Sequence, residues 1–394
     1  MDFDYSPQEE LFRQELRAWL ETNLPEEYNP ETFETLDEDA RFKIRLKWQK
    51  KLHAAGLVGV HWPKEYGGRG ATVVEQAIYQ QEMARVRAPG VANPLGISIV
   101  GPTLMHWGTE EQKKRYVPKI LSAEEIWCQG YSEPGSGSDF ASLQTRAVED
   151  GDYFVINGQK VWTSYAHQAH RCILVARTDP DAPKHKGLSY LLVDMKSSGV
   201  TVRPLVQITG DSEFNEVFFE DVRVPKANIV GEKNQGWQVA VTTLMFERVN
   251  FSIIYQIGPM LQRLGELAKR LRVNDSTAAE DPAIRQKLAQ FSLEAQAIKL
   301  NGFRQLTKQL KGNPPGPEGS IGKLAASELY IRIAHFAAEL LGPYSQMALG
   351  EERGFEGGYW SQRALASRLY TIAGGTSEVM RNIVGDRVLA LPKG

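Results

Sequence analysis

The sequence predicts an α+β protein built from three consecutive domains: an N-terminal all-α domain, a middle antiparallel β-barrel or sandwich, and a C-terminal four-helix bundle. Two observations carry this. The apolar period is helical to about Ala123, falls to two between about Glu125 and Glu232, and becomes helical again from Gly236. A chain of 394 residues that is 42% hydrophobic can bury a large core, and at about 100 to 200 residues per domain it is long enough for two or three. Boundaries are expected at 1–124, 125–235 and 236–394.

Ser6-Pro7-Gln8-Glu9 reads as an N-cap, a proline at the first helical position and an acidic first turn, and the helix it opens ends near Asn23-Leu-Pro25. Helices over Arg41 to Ala55, Val73 to Arg85 and Glu110 to Val117 follow from apolar residues at three- and four-residue spacing. In the middle region, Tyr153-Phe-Val-Ile156, Asn157-Gly158 and Gln159-Lys-Val-Trp162 read as strand, type I′ turn and strand. Further strands are expected at Cys172 to Ala176, Leu188 to Val193, Val200 to Pro204, Glu216 to Glu220 and Val222 to Pro225. The last region divides into helical segments at roughly 237 to 272, 282 to 311, 317 to 341 and 359 to 390, with Asn274 to Asp281 as a loop.

With 46 Lys and Arg against 48 Asp and Glu, the net charge of −2 provides no global field for a nucleic acid or an anionic membrane surface. Neither partner is indicated. Cys128 and Cys172 lie in candidate strands without Cys-x-x-Cys spacing, which suggests buried thiols in a reducing compartment. The acidic N-terminus and the absence of a run of about 18 apolar residues lead to the expectation of a soluble, cytoplasmic protein.

Trp127-Cys-Gln-Gly-Tyr-Ser-Glu-Pro-Gly-Ser-Gly-Ser-Asp139 packs a proline, three glycines and several hydroxyls into one segment, in which backbone N–H groups can turn toward an anion such as a pyrophosphate. Asn157-Gly-Gln-Lys-Val-Trp-Thr-Ser164 follows it. Together with Trp62-Pro-Lys-Glu-Tyr-Gly-Gly68, Phe218-Phe-Glu-Asp-Val-Arg-Val-Pro225, Gly231 and Gly236-Trp237, these runs resemble the acyl-CoA dehydrogenase family over nearly the whole chain. The resemblance implies the acyl-CoA dehydrogenase fold and FAD as cofactor. It also implies α,β-dehydrogenation of an acyl-CoA to the trans-2-enoyl-CoA, with electrons passing to an electron-transfer flavoprotein.

Such a reaction needs a carboxylate base to remove the weakly acidic α proton of a thioester. Many members carry it in a Tyr-Glu-Gly-Thr motif near the last helix. Here the matching run is Ile372-Ala-Gly-Gly-Thr-Ser-Glu378, so Gly374 stands at the base position and the usual Glu is absent. Isovaleryl-CoA and long-chain dehydrogenases place the base just before an Arg on the first helix of the C-terminal bundle, where this chain has Leu244-Met-Phe-Glu-Arg248. Glu247 is the expected base. Read from the residues alone, Ala240, Leu244, Glu247, Phe251 and Ile254 form one helical stripe with a single carboxylate and no basic residue four positions away. Such a group is costly unless it is used or satisfied; a bond to a neighbouring helix or chain is the alternative.

The resemblance carries further residues over. Gln129, where relatives often have an aromatic, Tyr131 and Ser132 are expected at the flavin ring, Gly137 and Ser138 at the pyrophosphate or the nearby CoA, and Trp162 beside the isoalloxazine. Ser164 is expected at its N5 edge, Thr376 and Glu378 at the phosphate and ribose region, and Gly374 as a backbone N–H donor to the substrate carbonyl. Ser138 and Arg248 are the expected substrate contacts. For Trp162 the plain alternative is a β-domain core residue, and for Arg248 a structural ion-pair partner.

Two departures bear on assembly. Homotetrameric members hold the adenine half of a neighbour's FAD with an Arg-x-x-Phe-Gly and a Gln-x-x-Gly-Gly-x-Gly run. Here those places read Arg272-Val-Asn-Asp-Ser-Thr-Ala-Ala and Glu339-Leu-Leu-Gly-Pro-Tyr344. The Gln-Gly-Tyr-Ser-Glu-Pro and Leu-Gly-Pro-Tyr wording is most similar to the Glu-bearing large subunits of two-component dehydrogenases, of the pimeloyl-CoA or steroid side-chain CoA type. An α2β2 heterotetramer with a sister subunit is therefore weighed beside a homotetramer. An oxidase that passes electrons to O₂, and a subunit inactive alone, are the other functional readings. His167 and His170 have helical metal-ligand spacing but lie in a strand-rich stretch, so no metal is expected, and Lys184-His-Lys186 reads as a solvated loop before a CoA phosphate contact.

Overall fold

A computed structural model of the chain describes residues 5–249, 253–273, 275–311 and 316–392. The chain divides into two compact units. One comprises Glu38–Gly70 and Pro89–Glu247; the other comprises Met1–Asp37, Ala71–Ala88 and Arg248–Gly394. The first α-helix, α1 (Pro7–Asn23), starts as its sequence predicts. Ser6 Oγ accepts from the Glu9 N–H at 3.3 Å while Glu9 Oε2 accepts from the Ser6 N–H at 2.7 Å, a reciprocal cap that local sequence alone specifies. Helices α2 (Glu38–Ala54), α3 (Val73–Arg85), α4 (Gly101–Trp107) and α5 (Glu110–Ser122) complete the N-terminal region. The α4 segment, preceded by a π-helical turn at Gly96–Val100, was not anticipated.

The β-domain follows as β1 (Trp127–Gly130), β2 (Arg146–Asp150), β3 (Tyr153–Lys160), β4 (Arg171–Arg177), β5 (Leu188–Asp194), β6 (Val200–Leu205), β7 (Phe214–Pro225) and β8 (Ile229–Val230). Its strands form one sheet in the order β6-β7-β3-β2-β4-β5-β8, with β1 paired to β4. Most pairings are antiparallel, but β1 and β2 each meet β4 in parallel. Cys128, Ile156, Leu174, Leu191, Val193, Val217 and Val222 form its core. Cys128 and Cys172 face each other in register on β1 and β4, buried and free.

The expected turn at Asn157-Gly158 is corrected. β3 runs through both residues, with a register shift between Ile156 and Gly158 against β7. The hairpin lies one strand earlier, where Asp150 pairs with Tyr153 across Gly151-Asp152. Asn157 does not turn the chain because its side chain is engaged across the sheet. Its Nδ2 donates to Asp221 Oδ1, and its Oδ1 accepts from the Asp221 N–H, both at 2.9 Å. Gly158 serves close approach instead, since a Cβ there would lie 2.5 Å from Thr145 Oγ1 and 2.7 Å from Thr145 Cα.

The remaining helices are α6 (Gly236–Val249), α7 (Ile253–Arg270), α8 (Pro282–Leu310), α9 (Gly319–Leu341), α10 (Tyr359–Ala366) and α11 (Ser377–Ile383). Leu264, Phe291, Ile333, Ala337 and Trp360 are central to the core that α7 to α10 share. Two expectations change here. The segment 359 to 390 is broken, because Gly374 and Gly375 adopt left-handed backbone at φ 66° and 100° and Thr376 caps a new helix. The expected loop from Asn274 to Asp281 contains a strand, β10 (Ser276–Thr277), which pairs with β9 (Arg272–Val273).

Gly158→Ala is expected to destabilise the β-domain by about 1–3 kcal/mol through overpacking against Thr145. Chemical denaturation measures this; an unchanged midpoint would mean that the bulge relaxes freely.

Candidate active site

Two buried amides fix the start of β1 within the unit that holds the β-domain. Gln49 on α2 donates from Nε2 to the carbonyls of Ile120 and Leu121 at 3.0 and 3.1 Å, and its Oε1 accepts from the Asn93 N–H at 2.9 Å. Asn93 in turn donates to the Glu125 carbonyl and accepts from the Trp127 N–H. Because buried amides are expensive to leave unmade, this chain of bonds ties β1 to the helical layer.

Beyond Gly130 the chain leaves the sheet and forms the segment expected to cradle a cofactor. Tyr131 stacks on Phe140 with ring centroids 4.9 Å apart. Lys160, with none of its surface exposed, donates from Nζ to the Tyr131 carbonyl and to Glu133 Oε1, both at 2.9 Å. Glu133 also accepts from the N–H groups of Gln144 and Thr145 at 2.6 and 2.8 Å. Burial opposes ionisation of Glu133, yet the Lys160 charge and these hydrogen bonds outweigh it and hold its carboxyl below the ordinary value. Burial pushes the Lys160 ammonium down to about 8, with Glu133 acting in the opposite direction. Between these two anchored residues, Ser132 accepts from the Val161 N–H at 2.9 Å. Its own N–H and hydroxyl have no protein partner among the described residues.

From Pro134 onward the segment opens outward. A Cβ added at Gly135 or Gly137 would meet nothing within 4 Å, so bare backbone faces open space at both positions. Ser138 and Asp139 are exposed, and Asp139 receives Lys184 Nζ at 2.9 Å. Across the cradle, Trp162 is 61% exposed and adopts left-handed backbone at φ 58°, which costs a bulky residue about 1–3 kcal/mol. It is not a core residue. Its ring meets Phe214 edge-on at 6.1 Å, and the hydroxyl of Ser164 makes no protein hydrogen bond among the described residues.

Gln129, Tyr131, Ser132, Gly137, Ser138, Trp162 and Ser164 thus belong to one compact unit. Free hydrogen-bonding groups at Ser132 and Ser164, open backbone at Gly135 and Gly137, and an exposed, strained tryptophan fit a flat, polar, anionic cofactor such as FAD. On α6, Gly236, Val239, Ala240 and Thr243 are buried. Glu247 falls one turn further along. The helix backbone passes through Glu247 and Arg248, but their side chains lie outside the described residues, so neither role is tested by geometry. Phe251 also lies outside the described residues, as does the side chain of Ile254.

Gly374, Thr376 and Glu378 belong to the other unit. The carbonyls of Tyr370 and Gly375 receive the buried Lys323 Nζ at 2.9 and 2.7 Å, which fixes the left-handed Gly-Gly turn. The Gly374 N–H has no acceptor among the described residues. Thr376 Oγ1 caps α11 by accepting from the Val379 N–H, and Glu378 is exposed in its first turn. His167 lies against Asn215 and Glu38, while His170 Nδ1 accepts from the Ile126 N–H. No group of three or more His, Cys, Asp or Glu able to hold a metal occurs among the described residues. Lys160 and Glu133 lie inside the two motifs, but the family resemblance assigns neither a role. The available signal was a lysine at an inward-facing position of β3, where a charge demands a partner.

Residues 6–124, 128–222 and 234–389 match the N-terminal, middle and C-terminal domains of the acyl-CoA dehydrogenases. The chain is 40% identical over 391 residues to acyl-CoA dehydrogenase IpdE1 of Mycobacterium tuberculosis, covering 98% of each. The ChsE4-ChsE5 complex from Mycobacterium tuberculosis is similar with a TM-score of 0.87 at 33% identity, over 100% of both chains. A Tcur3481-Tcur3483 steroid ACAD gives 0.84 at 32% identity, again over 100% of both. No helix among the described residues is long and apolar enough to cross a membrane.

Glu133→Gln is expected to destabilise by about 3–5 kcal/mol, because it leaves the Lys160 charge buried without its counter-ion, whereas Lys160→Met with Glu133→Leu costs less than the two single changes summed. Additive losses in denaturation would mean that the pair is not coupled. The pH dependence has a definite sign. The unfolded lysine keeps its proton to about 10.5 while the folded one releases it at about 8, so the unfolded state binds more protons in that window. Wild-type stability relative to Lys160→Met should therefore rise between pH 8 and 10.5, by up to about 1.4 kcal/mol per pH unit; a flat difference would contradict the burial cost.

Proposed function

This chain belongs to the acyl-CoA dehydrogenase family of FAD-dependent enzymes, and from that membership we propose that Glu247 is the base that removes the α proton of an acyl-CoA. The observation that carries the assignment is the pairing of Glu247, in Leu244-Met-Phe-Glu-Arg248, with a glycine at 374 where many relatives have the carboxylate. Bound FAD supplies the acceptor for the β hydride at its N5 position. The residues of the chain supply the rest. The free N–H of Gly374 donates to the thioester carbonyl, which raises the acidity of the α carbon as negative charge moves onto oxygen. Glu247 takes the α proton onto a carboxylate oxygen. Ser132 and Ser164 would orient the ring, Trp162 would pack beside it, and Gly137 with Ser138 would meet the pyrophosphate or the CoA. Thr376 and Glu378 meet the phosphate and ribose region, and Arg248 contacts substrate.

We further propose a heteromer. The Arg-x-x-Phe-Gly and Gln-x-x-Gly-Gly-x-Gly clamps are replaced at Arg272 and Glu339, and two of the similar structures are named as pairs of different chains. A sister subunit would then supply the adenine clamp in an α2β2 assembly, and electron-transfer flavoprotein would take the electrons. The steroid substrate named for one of those structures makes bulky acyl-CoAs the first class to try.

Anaerobic titration of the flavin-loaded enzyme with straight, branched, dicarboxylic and steroid-type acyl-CoAs is expected to bleach the flavin with one class. Glu247→Gln should bind FAD normally and bleach about 10²–10⁴-fold more slowly; bleaching at the wild-type rate would remove Glu247 from the mechanism. Mass determination of the chain co-expressed with a neighbouring homologue should return a heterotetramer. A stable yellow homotetramer of the chain alone would reject the sister subunit, and O₂ consumption at the turnover rate would identify an oxidase.

A further inference from the structure

Trp162 and Tyr165 both adopt left-handed backbone, at φ 58° and 57°. Among the described residues this is the one place where two non-glycine residues do so within four positions. Bulky side chains avoid that region, so something must hold the loop against its own preference. Asn215, on β7 and fully buried, is the centre of what holds it. Its carbonyl accepts from the Thr163 N–H at 3.0 Å, and its Nδ2 donates to the carbonyls of Thr163 and Glu213 at 3.0 and 3.1 Å. Its Oδ1 lies 3.1 Å from His167 Nδ1, and His167 Nε2 lies 2.8 Å from Glu38 Oε1. Glu213 fixes the far end of the loop, accepting at its carbonyl from the Tyr165 N–H at 2.7 Å and at Oε2 from the Tyr165 hydroxyl at 3.2 Å.

Thr163 and Tyr165 are thus clamped, and Ser164 between them makes no protein hydrogen bond among the described residues. We propose that Asn215 is a positioning residue for the flavin reaction: it locks the strained loop so that Ser164 and Trp162 are presented outward to the isoalloxazine. The inference rests on the reading of this loop as flavin-facing. A primary amide is required, because it donates to two carbonyls while its oxygen still accepts from a third group. A carboxylate at 215 cannot donate, and an apolar side chain leaves the Thr163 and Glu213 carbonyls without that partner.

The test compares Asn215→Ala and Asn215→Asp with Val217→Ala, a buried change on the same strand, in the flavin-loaded assembly. The Asn215 variants are expected to bind FAD about tenfold or more weakly. They should also alter the visible circular dichroism of the bound flavin and shift its oxidised-to-reduced ratio against a reference dye by about fivefold, the factor of one ordinary hydrogen bond. Val217→Ala should lower thermal stability with the flavin signals unchanged. Loss of stability alone in the Asn215 variants would overturn the proposal. Should both fail to fold, His167→Ala decides, with the same flavin shifts expected and unchanged signals overturning the proposal. Trp162→Ala is the reference for the underlying reading. If it changes the flavin signals and Asn215→Ala does not, the positioning role alone falls; if neither changes them, the flavin assignment of the loop falls as well.

Discussion

The ammonium of Lys160, sealed inside the β-domain, is the constraint on which the cradle depends. A lysine charge removed from water costs several kcal/mol, and it persists only where fixed acceptors replace the lost hydration. Here the acceptors are the Tyr131 carbonyl and the Glu133 carboxylate, the two residues that flank Ser132. Lys160 ends β3, which is held between β2 and β7, so its position is set by the sheet. The charge therefore transmits the rigidity of the sheet to a turn that lies outside it. With the Ser132 carbonyl also taken by Val161, the groups left over at Ser132 are its N–H and hydroxyl. A cofactor meeting them pays little ordering cost, because the protein ordered them when it folded.

The opposite edge of the cradle is built on a different principle. Trp162 and Tyr165 hold unfavourable backbone, and neutral hydrogen bonds centred on Asn215 compensate for it. An ion pair braces one side and an amide the other, and both partners are buried, where each interaction is worth more than in water and more costly to break. The Gln49 and Asn93 bonds behind β1 extend the same logic into the helical layer.

What the sequence disclosed follows the range of the interactions. The α1 cap was legible because Ser6 and Glu9 are three residues apart and satisfy each other. The span of α3, Val73–Arg85, was legible from its apolar spacing. Asn157-Gly158 misled because its local preference for a turn lost to Asp221, 64 residues away, and to the close approach of Thr145. The break in the last helix was written in Gly374-Gly375, although periodicity alone carried the helix through it. For the site, the motif residues were legible as a family resemblance. The groups that hold them were not, since Lys160 to Glu133 spans 27 residues and Asn215 to Thr163 spans 52. No window of sequence shows that such residues meet.

Gly374 gives the proposed mechanism its internal consistency. The proposed donor to the substrate carbonyl is a backbone N–H, which does not depend on the side chain at that position. At φ 66° the backbone there favours glycine, and a glutamate would carry both the strain and the volume of its side chain. With glycine the turn carries neither, and Lys323 keeps the adjacent Gly375 carbonyl fixed. The proposed base is instead Glu247, on α6 one turn beyond the buried Thr243. Separating the two functions frees each to vary. On the proposed mechanism, a turn without a side chain at 374 leaves less bulk beside the carbonyl donor, which is the physical reason to try bulky thioesters before straight ones.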